Sequence, residues 1–340
     1  MKKWLLSLCV LFVTIYTLNA QEKQFNLYAV AFYNLENLFN TTHDEGKNDY
    51  EYLPEGTNHW TVEKYNSKLK NMSEVLAELA TDKLPLGVAF CGVSEVENLG
   101  CLQDLVAQPA LKPRNWQIVH VEGPDRRGVD CALLYNPRFF KVDSYRLAPY
   151  IDEDTSYRTR GFLVIDGQLA DERVSVIVNH WPSRFATSPA REKAGAQVRN
   201  LKDSLLRVDP QRKIFIMGDL NDDPMDKSVS KALGAKRYAK DCGATDLYNP
   251  FWEVLAKGTG SLMYDGKWNL FDQIILSNNL VTTDRSMLSY YRPEVFKRSY
   301  LFTTEGAYKG YPKRTAAGGV WQNGFSDHLP TIVYLLKEKK

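Results

Sequence analysis

The stretch Lys213-Ile214-Phe215-Ile216-Met217-Gly218-Asp219-Leu220-Asn221-Asp222-Asp223-Pro224 changes character in its middle. Ile214 to Met217 form an apolar run between a charge and a Gly-Asp pair, the pattern of a strand buried on both faces. Strands of that kind in an α/β sheet end where a ligand crevice opens, so a turn started by Gly218 would deliver Asp219 and Asn221 to the sheet edge. Taken alone, Asp219, Asn221, Asp222 and Asp223 read as turn formers and caps. The rest of the chain decides between the two readings.

Moving outward, other apolar runs also end in acids, amides or histidines. Upstream, Val174 to Val178 runs into Asn179-His180-Trp181-Pro182, and Ser188-Pro189 then starts a helix carrying Ala194, Val198, Leu201 and Leu205 on one face. Leu27 to Tyr33 leads to Asn34, and Leu86 to Val93 leads to Ser94-Glu95. Gln117 to His120 and Val129 to Tyr135 read as a hairpin that places Asp130 beside Arg126 and Arg127, and a second hairpin spans Thr159 to Asn179. Downstream, Trp268 to Ser277 reads as a strand with one acid, Asp272, inside it, and a carboxylate there needs a partner. The last strand, Thr331 to Leu336, follows Ser326-Asp327-His328. Val62, Tyr65, Leu69, Met72, Leu76 and Leu79 step at helical spacing and predict a helix laid on a sheet.

Residues 1–20 have the basic start, apolar middle and small-residue close of a secretory signal, so export and a mature start near Gln21 are expected. Residues 21–340 then form a single catalytic domain, with no membrane span once the leader is cleaved. Without Lys2 and Lys3 the formal charge falls from +2 to zero, so phosphate binding must come from local clusters such as Arg126-Arg127, Arg158 with Arg160, or Lys309, Lys313 and Arg314. Cys91, Cys101, Cys131 and Cys242 remain, with export permitting up to two disulfides, and Cys91 and Cys131 fit buried thiols equally well. A Gly-x-Ser precedes Val96, where a nucleophile elbow requires glycine, which excludes a serine-hydrolase reading. Zincin, P-loop and dinucleotide fingerprints are also absent.

Asn34, Glu95, Asp130, Asn179-His180, Asp219-Leu220-Asn221, Asp272 and Asp327-His328 thus make a series at strand ends, suited to metal-assisted hydrolysis of a phosphoester. With its Gly218-Asp219-Leu220-Asn221 and Ser326-Asp327-His328 motifs, the chain resembles the endonuclease/exonuclease/phosphatase superfamily over nearly all of the mature sequence. The resemblance implies a four-layer α/β/β/α sandwich, two mixed sheets packed face to face with helices outside. It also implies Mg²⁺, with Mn²⁺ or Ca²⁺ as substitutes, held by Glu95 with Asn34 and Asp327 close by. Asp219 and Asn221 would orient the attacking water, and His328 would act as general base or phosphate donor with its ring fixed by Asp272. His180 would assist the leaving group and phosphate with Asp130 as its orienting acid, while Asn179 and Arg127 would hold the substrate phosphate. The two-histidine pattern is similar to secreted deoxyribonucleases and sphingomyelinase-like phosphodiesterases, so an exported nuclease acting on DNA or RNA is expected. The alternatives are a lipid phosphodiesterase, for which Tyr290-Tyr291 and Tyr300-Leu301-Phe302 are candidate loop aromatics, and a catalytically silent binding module.

Overall fold

The computed structural model describes residues 23–317 and 320–339, so the expected leader lies outside the described residues. The chain begins with β1 (Phe25–Leu38), α1 (Val62–Glu78), β2 (Phe90–Val96), α2 (Leu99–Val106), β3 (Gln117–His120) and β4 (Asp130–Tyr135). It continues with β5 (Phe140–Ala148), β6 (Phe162–Leu169), β7 (Glu172–His180), α3 (Ser188–Val208) and β8 (Lys213–Asp219). After β9 (Ala235–Lys236), β10 (Leu247–Tyr248) and α4 (Phe251–Ala256) come the hairpin of β11 (Leu262–Tyr264) with β12 (Lys267–Asn269), then β13 (Asp272–Ser277) and β14 (Ser289–Val295). A small ribbon of β15 (Ala316–Ala317) and β16 (Val320–Trp321) precedes β17 (Thr331–Glu338).

Two mixed sheets result, in the orders β14-β17-β1-β2-β4-β3 and β5-β6-β7-β8-β13-β10-β9. β8 shows why they pack as a sandwich. Phe215 and Met217 join the inner core with Ala31, Phe32, Phe90 and Val93 of the other sheet, while Ile214 and Ile216 join Ala194 and Val198 of α3 on the outer face. A strand buried on both faces therefore reads as a continuous apolar run. On the opposite outer face, Leu69, Met72 and Leu76 of α1 and Leu102 and Leu105 of α2 close the fourth layer.

Three local expectations need correction. α3 is capped at Thr187, whose side chain makes no capping bond, and Ser188 is already helical with Pro189 behind it. The strand expected over Trp268–Ser277 is two strands, because Leu270 and Phe271 leave the ladder to bind the Asp219 turn. Leu270 N donates to Asp223 Oδ1 at 2.7 Å, and Phe271 O accepts from Leu220 N at 2.9 Å. The strand expected over Leu86–Val93 is displaced to Phe90–Val96, so Glu95 lies within it. β5 and β14 have no counterpart in the sequence reading: they are edge strands with mostly incomplete burial, and Pro293 is tolerated in β14 for the same reason. Cys91, Cys101, Cys131 and Cys242 are free thiols, the first three buried. Among the described residues no helix is long and apolar enough to cross a membrane.

Candidate active site

The turn after β8 is held by close backbone approach. A Cβ on Gly218 would lie 2.2 Å from the Asn179 carbonyl oxygen, so only glycine lets β7 and β8 run side by side here. Across that junction His180 pairs with Asp219 in parallel register, and Asp272 pairs with Asp219 in antiparallel register. Three neighbouring strands therefore place His180, Asp219 and Asp272 in one row. Asn221 takes a left-handed conformation (φ 52°), which asparagine tolerates, and its N–H donates to Asp219 Oδ1 at 2.9 Å.

The facing sheet supplies its groups through irregularities. On β2, Ser94 pairs with Cys131 and Val96 with Asp130, leaving Glu95 as an unpaired bulge residue at φ 60°. β1 slips between Asn34 and Leu38, with Glu36 and Asn37 at φ 48° and 55°. Bulges of this kind re-aim a side chain and concentrate beside active sites. Here they turn Glu95 toward the row on the other sheet, and Asn37 N–H fixes Glu95 Oε2 at 3.0 Å.

Asp219 lies at the centre. His180 Nε2 is 3.6 Å from Glu95 Oε1 and 3.7 Å from Asp219 Oδ2, and His328 Nε2 reaches the same Asp219 oxygen at 3.9 Å. Asn34 Nδ2 donates to that oxygen at 3.0 Å. His328 Nδ1 meets Asp272 Oδ2 at 2.7 Å, and Ser261 Oγ donates to the same carboxylate at 2.5 Å. The two rings differ in charge. Burial, with Arg160, Arg127 and His328 nearby, holds His180 well below the ordinary histidine value and therefore neutral. Burial also opposes a charge on His328, but Asp272, Asp219 and Asp327 together raise it well above the ordinary value. Burial pushes Asp219 up to about 7, against the pull of His328 and with the push of Asp272.

Among the described residues one donor set without internal hydrogen bonds fits a divalent cation; in another, of His120, Glu122 and Asp130, the histidine and Asp130 are bonded to each other. Atoms of Glu95, His180 and Asp219 lie within 4.8 Å of one another, and Glu95 retains some solvent access. Carboxylate oxygens suit a hard ion. Asp272 and His328 form a further set with Asp219, but these two are already bonded to each other. Asn34 is positioned through its amide nitrogen on Asp219, while its Oδ1 accepts from Glu36 N at 2.8 Å.

Other expected residues are placed differently. Asp130 does not meet His180: its Oδ2 lies 3.0 Å from His120 Nε2 and its Oδ1 accepts from Gly123 N. Among the described residues His180 Nδ1 has no hydrogen-bond partner. Asn179 cannot present an amide to phosphate, because Nδ2 is spent on the Ile177 and Met217 carbonyls and Oδ1 on the Trp181 indole. Asp327 is claimed by Arg314, with Nη2 at 2.9 Å. Arg127 lies close enough to depress His180 and forms no ion pair among the described residues. Asp222 and Asp223 are structural, the former held by Ser228 and Arg191 and the latter by Leu270 N–H. Sequence reasoning missed Glu36 and Lys68, and Arg314, expected as part of a basic cluster with Lys309 and Lys313, is instead paired with Glu36 and Asp327. Glu36 accepts from Arg314 Nε at 2.8 Å and from Thr315 N–H at 2.7 Å, with the buried Lys68 ammonium 3.8 Å away. The unusual Asn34-Leu35-Glu36-Asn37 polarity after an apolar strand was its only signal in sequence. Arg160, expected only as part of a cluster with Arg158, is buried and bonded to Asp125 and to the Trp181 carbonyl.

Among curated proteins, no sequence matched. Among solved structures, a mannosyl-6-phosphatase from Bacteroides thetaiotaomicron is similar at 16% identity and TM-score 0.56, covering 91% of this chain and 99% of its own. An endonuclease/exonuclease/phosphatase family protein from the same organism has 16% identity and TM-score 0.55, covering 93% and 96%. TDP2 of D. rerio complexed with a single-strand DNA product has 13% identity and TM-score 0.53, covering 91% and 98%. These identities show a shared fold. The Endonuclease/Exonuclease/phosphatase family profile matches residues 29–337, nearly the whole described chain, and the protein belongs to that family.

Proposed function

We propose that the protein is an exported, Mg²⁺-dependent phosphoester hydrolase working through Glu95, His180, Asp219 and His328. Enzymes of this family are divalent-metal-dependent phosphoesterases. The observation that carries the reading is the convergence of two buried histidines on one buried carboxylate, with His180 Nε2 at 3.7 Å and His328 Nε2 at 3.9 Å from the same Asp219 oxygen. Glu95 would hold the ion, which when bound neutralises phosphoryl charge. Choosing Mg²⁺ rests on the oxygen donors of Glu95 and Asp219.

His328, kept as an imidazolium by Asp272, donates from Nε2 to a phosphoryl oxygen. Its raised pKa favours that role over general base. Asp219 and the neighbouring Asn221 orient the attacking water; its oxygen bonds to phosphorus, its proton passes to Asp219, and the ester P–O bond breaks to release an alkoxide that takes a proton from solvent. Neutral His180 borders the same space, with the Arg160 guanidinium near enough to disfavour its protonation. Export rests on residues 1–20 alone.

A nucleic-acid phosphodiester is the first substrate to test, because the two-histidine series is that of deoxyribonuclease-like enzymes. The lipid alternative is weakened in part: Tyr290 and Tyr291 belong to β14 rather than to a loop and Leu301 is buried, while Tyr291 and Tyr300 stay exposed. A panel of single-stranded DNA, RNA, a lipid phosphodiester and a phosphomonoester, each with Mg²⁺ and after EDTA, tests the reading. Turnover that requires the ion supports it; undiminished turnover after thorough EDTA treatment overturns it.

A further inference from the structure

Beside the catalytic row, on the Asp327 side, a cavity of about 740 Å³ opens between the β11–β12 hairpin, the segment 303–312 and the β15–β16 ribbon. That volume lies within the range of small-ligand sites. It is continuous with the active site: Arg314 and Asp327 line it, and Leu262 of its wall is bridged to His328. Its walls present Tyr264, Tyr308 and Tyr311, with Tyr264 and Tyr308 about three-fifths exposed. Exposed aromatic faces in a concave wall are available for ring packing. The hairpin that carries Tyr264 is pinned by an Asp265-Gly266 turn with both residues at positive φ (48° and 72°).

The charge on these walls narrows the occupant. Three carboxylates, Asp265, Glu305 and Asp327, face a single guanidinium, Arg314, which is already bonded to Asp327 and Glu36. Lys267, Lys309 and Lys313 adjoin the lining residues in sequence but do not line the cavity. A nucleic-acid strand needs a basic groove along its backbone, so this wall repels it. A lipid tail would find carboxylates where it needs apolar surface. Carboxylates accept hydrogen bonds from hydroxyl groups, and tyrosine faces pack against the C–H faces of a neutral ring.

We infer that this cavity is a subsite for the neutral, polyhydroxylated ring of a sugar phosphate ester whose phosphate lies at Asp219 and His328. The inference rests on the hydrolase reading and replaces the nucleic-acid expectation on this side of the phosphate. Full-length protein with Mg²⁺ would be assayed on a hexose 6-phosphate, ethyl phosphate, a single-stranded oligonucleotide and phosphatidylcholine vesicles. Preference for the hexose phosphate is expected, and Tyr308→Ala and Tyr264→Ala should each lower the hexose-to-ethyl ratio of kcat/KM about tenfold. Unchanged far-UV dichroism and melting temperature would establish that the variants fold. Preference for the oligonucleotide or the vesicles, or ratios untouched by both folded variants, overturns the inference. Calorimetric titration of hexose 6-phosphate separates the two readings. No turnover of any ester, together with binding that Tyr308→Ala weakens about tenfold, removes the hydrolase reading and keeps the subsite. No binding and no preference removes the subsite.

Discussion

Among the described residues two histidine–aspartate hydrogen bonds have both side chains less than a tenth exposed, and one of the two faces chemistry. His120 Nε2 meets Asp130 Oδ2 at 3.0 Å, and His328 Nδ1 meets Asp272 Oδ2 at 2.7 Å. Their surroundings separate them. Asp130 spends its other oxygen on Gly123 N–H, and Lys47 closes the same loop through Glu122 at 3.2 Å and the Gly123 carbonyl at 3.0 Å. That pair clasps a loop to the end of β4. The outer nitrogen of His328, in contrast, points at Asp219 and Asp327, at 3.9 Å and 3.8 Å, in a row shared with His180. A histidine–acid pair therefore identifies a site only when its free nitrogen looks onto further functional groups.

The contrast can be broken or sharpened by measurement. Glu95→Gln should have the largest effect, removing divalent-ion dependence together with most turnover; isothermal titration with Mn²⁺ would read the loss of the ion directly. Asp272→Asn should lower kcat by about 10- to 100-fold, the usual cost of losing the group that fixes a functional histidine. On the other pair, Asp130→Asn should leave kcat/KM at the parent level and lower stability by about 1–3 kcal/mol in urea unfolding, since a buried partner is weakened. A loss of activity in Asp130→Asn comparable to that in Asp272→Asn would erase the distinction.

A subtler effect is the pH dependence of stability. The folded value of His328 lies above its unfolded value, so its stabilising contribution is complete below about 6.5 and disappears as pH rises through the folded value. His180 works the other way. Its folded value is depressed, so the unfolded chain takes up a proton that the folded chain refuses, and stability falls as pH drops below about 6.5. In metal-free protein, His328→Asn should therefore cost more stability at pH 6 than at pH 9, and His180→Asn should cost less at the acid end. Urea unfolding at the two pH values checks both signs.

Much of the fold was readable because strands buried on two faces leave continuous apolar runs. Ile214–Met217 and Val174–Val178 did so, and the polar residues at their ends marked the row His180 and Asp219. Edge strands carry no such run, and Phe140–Ala148 was invisible for that reason. The aim of Glu95 was not legible either, because a bulge is a property of two strands in register and not of one segment. Asp130 was assigned to His180 on the family resemblance alone, while its partner, His120, lies across its own hairpin. The Glu36–Arg314 pair joins residues 278 apart, and Lys68 enters it from α1. No local pattern announces an ion network assembled from three distant segments.

The most direct test of the account compares His328→Ala with His120→Ala on one phosphate ester in Mg²⁺. A loss of about 10² to 10⁴ in kcat is expected for His328→Ala, as for removal of a proton-handling group, and the parent kcat for His120→Ala. Equal losses in the two variants, or parent-level turnover by His328→Ala, would contradict it.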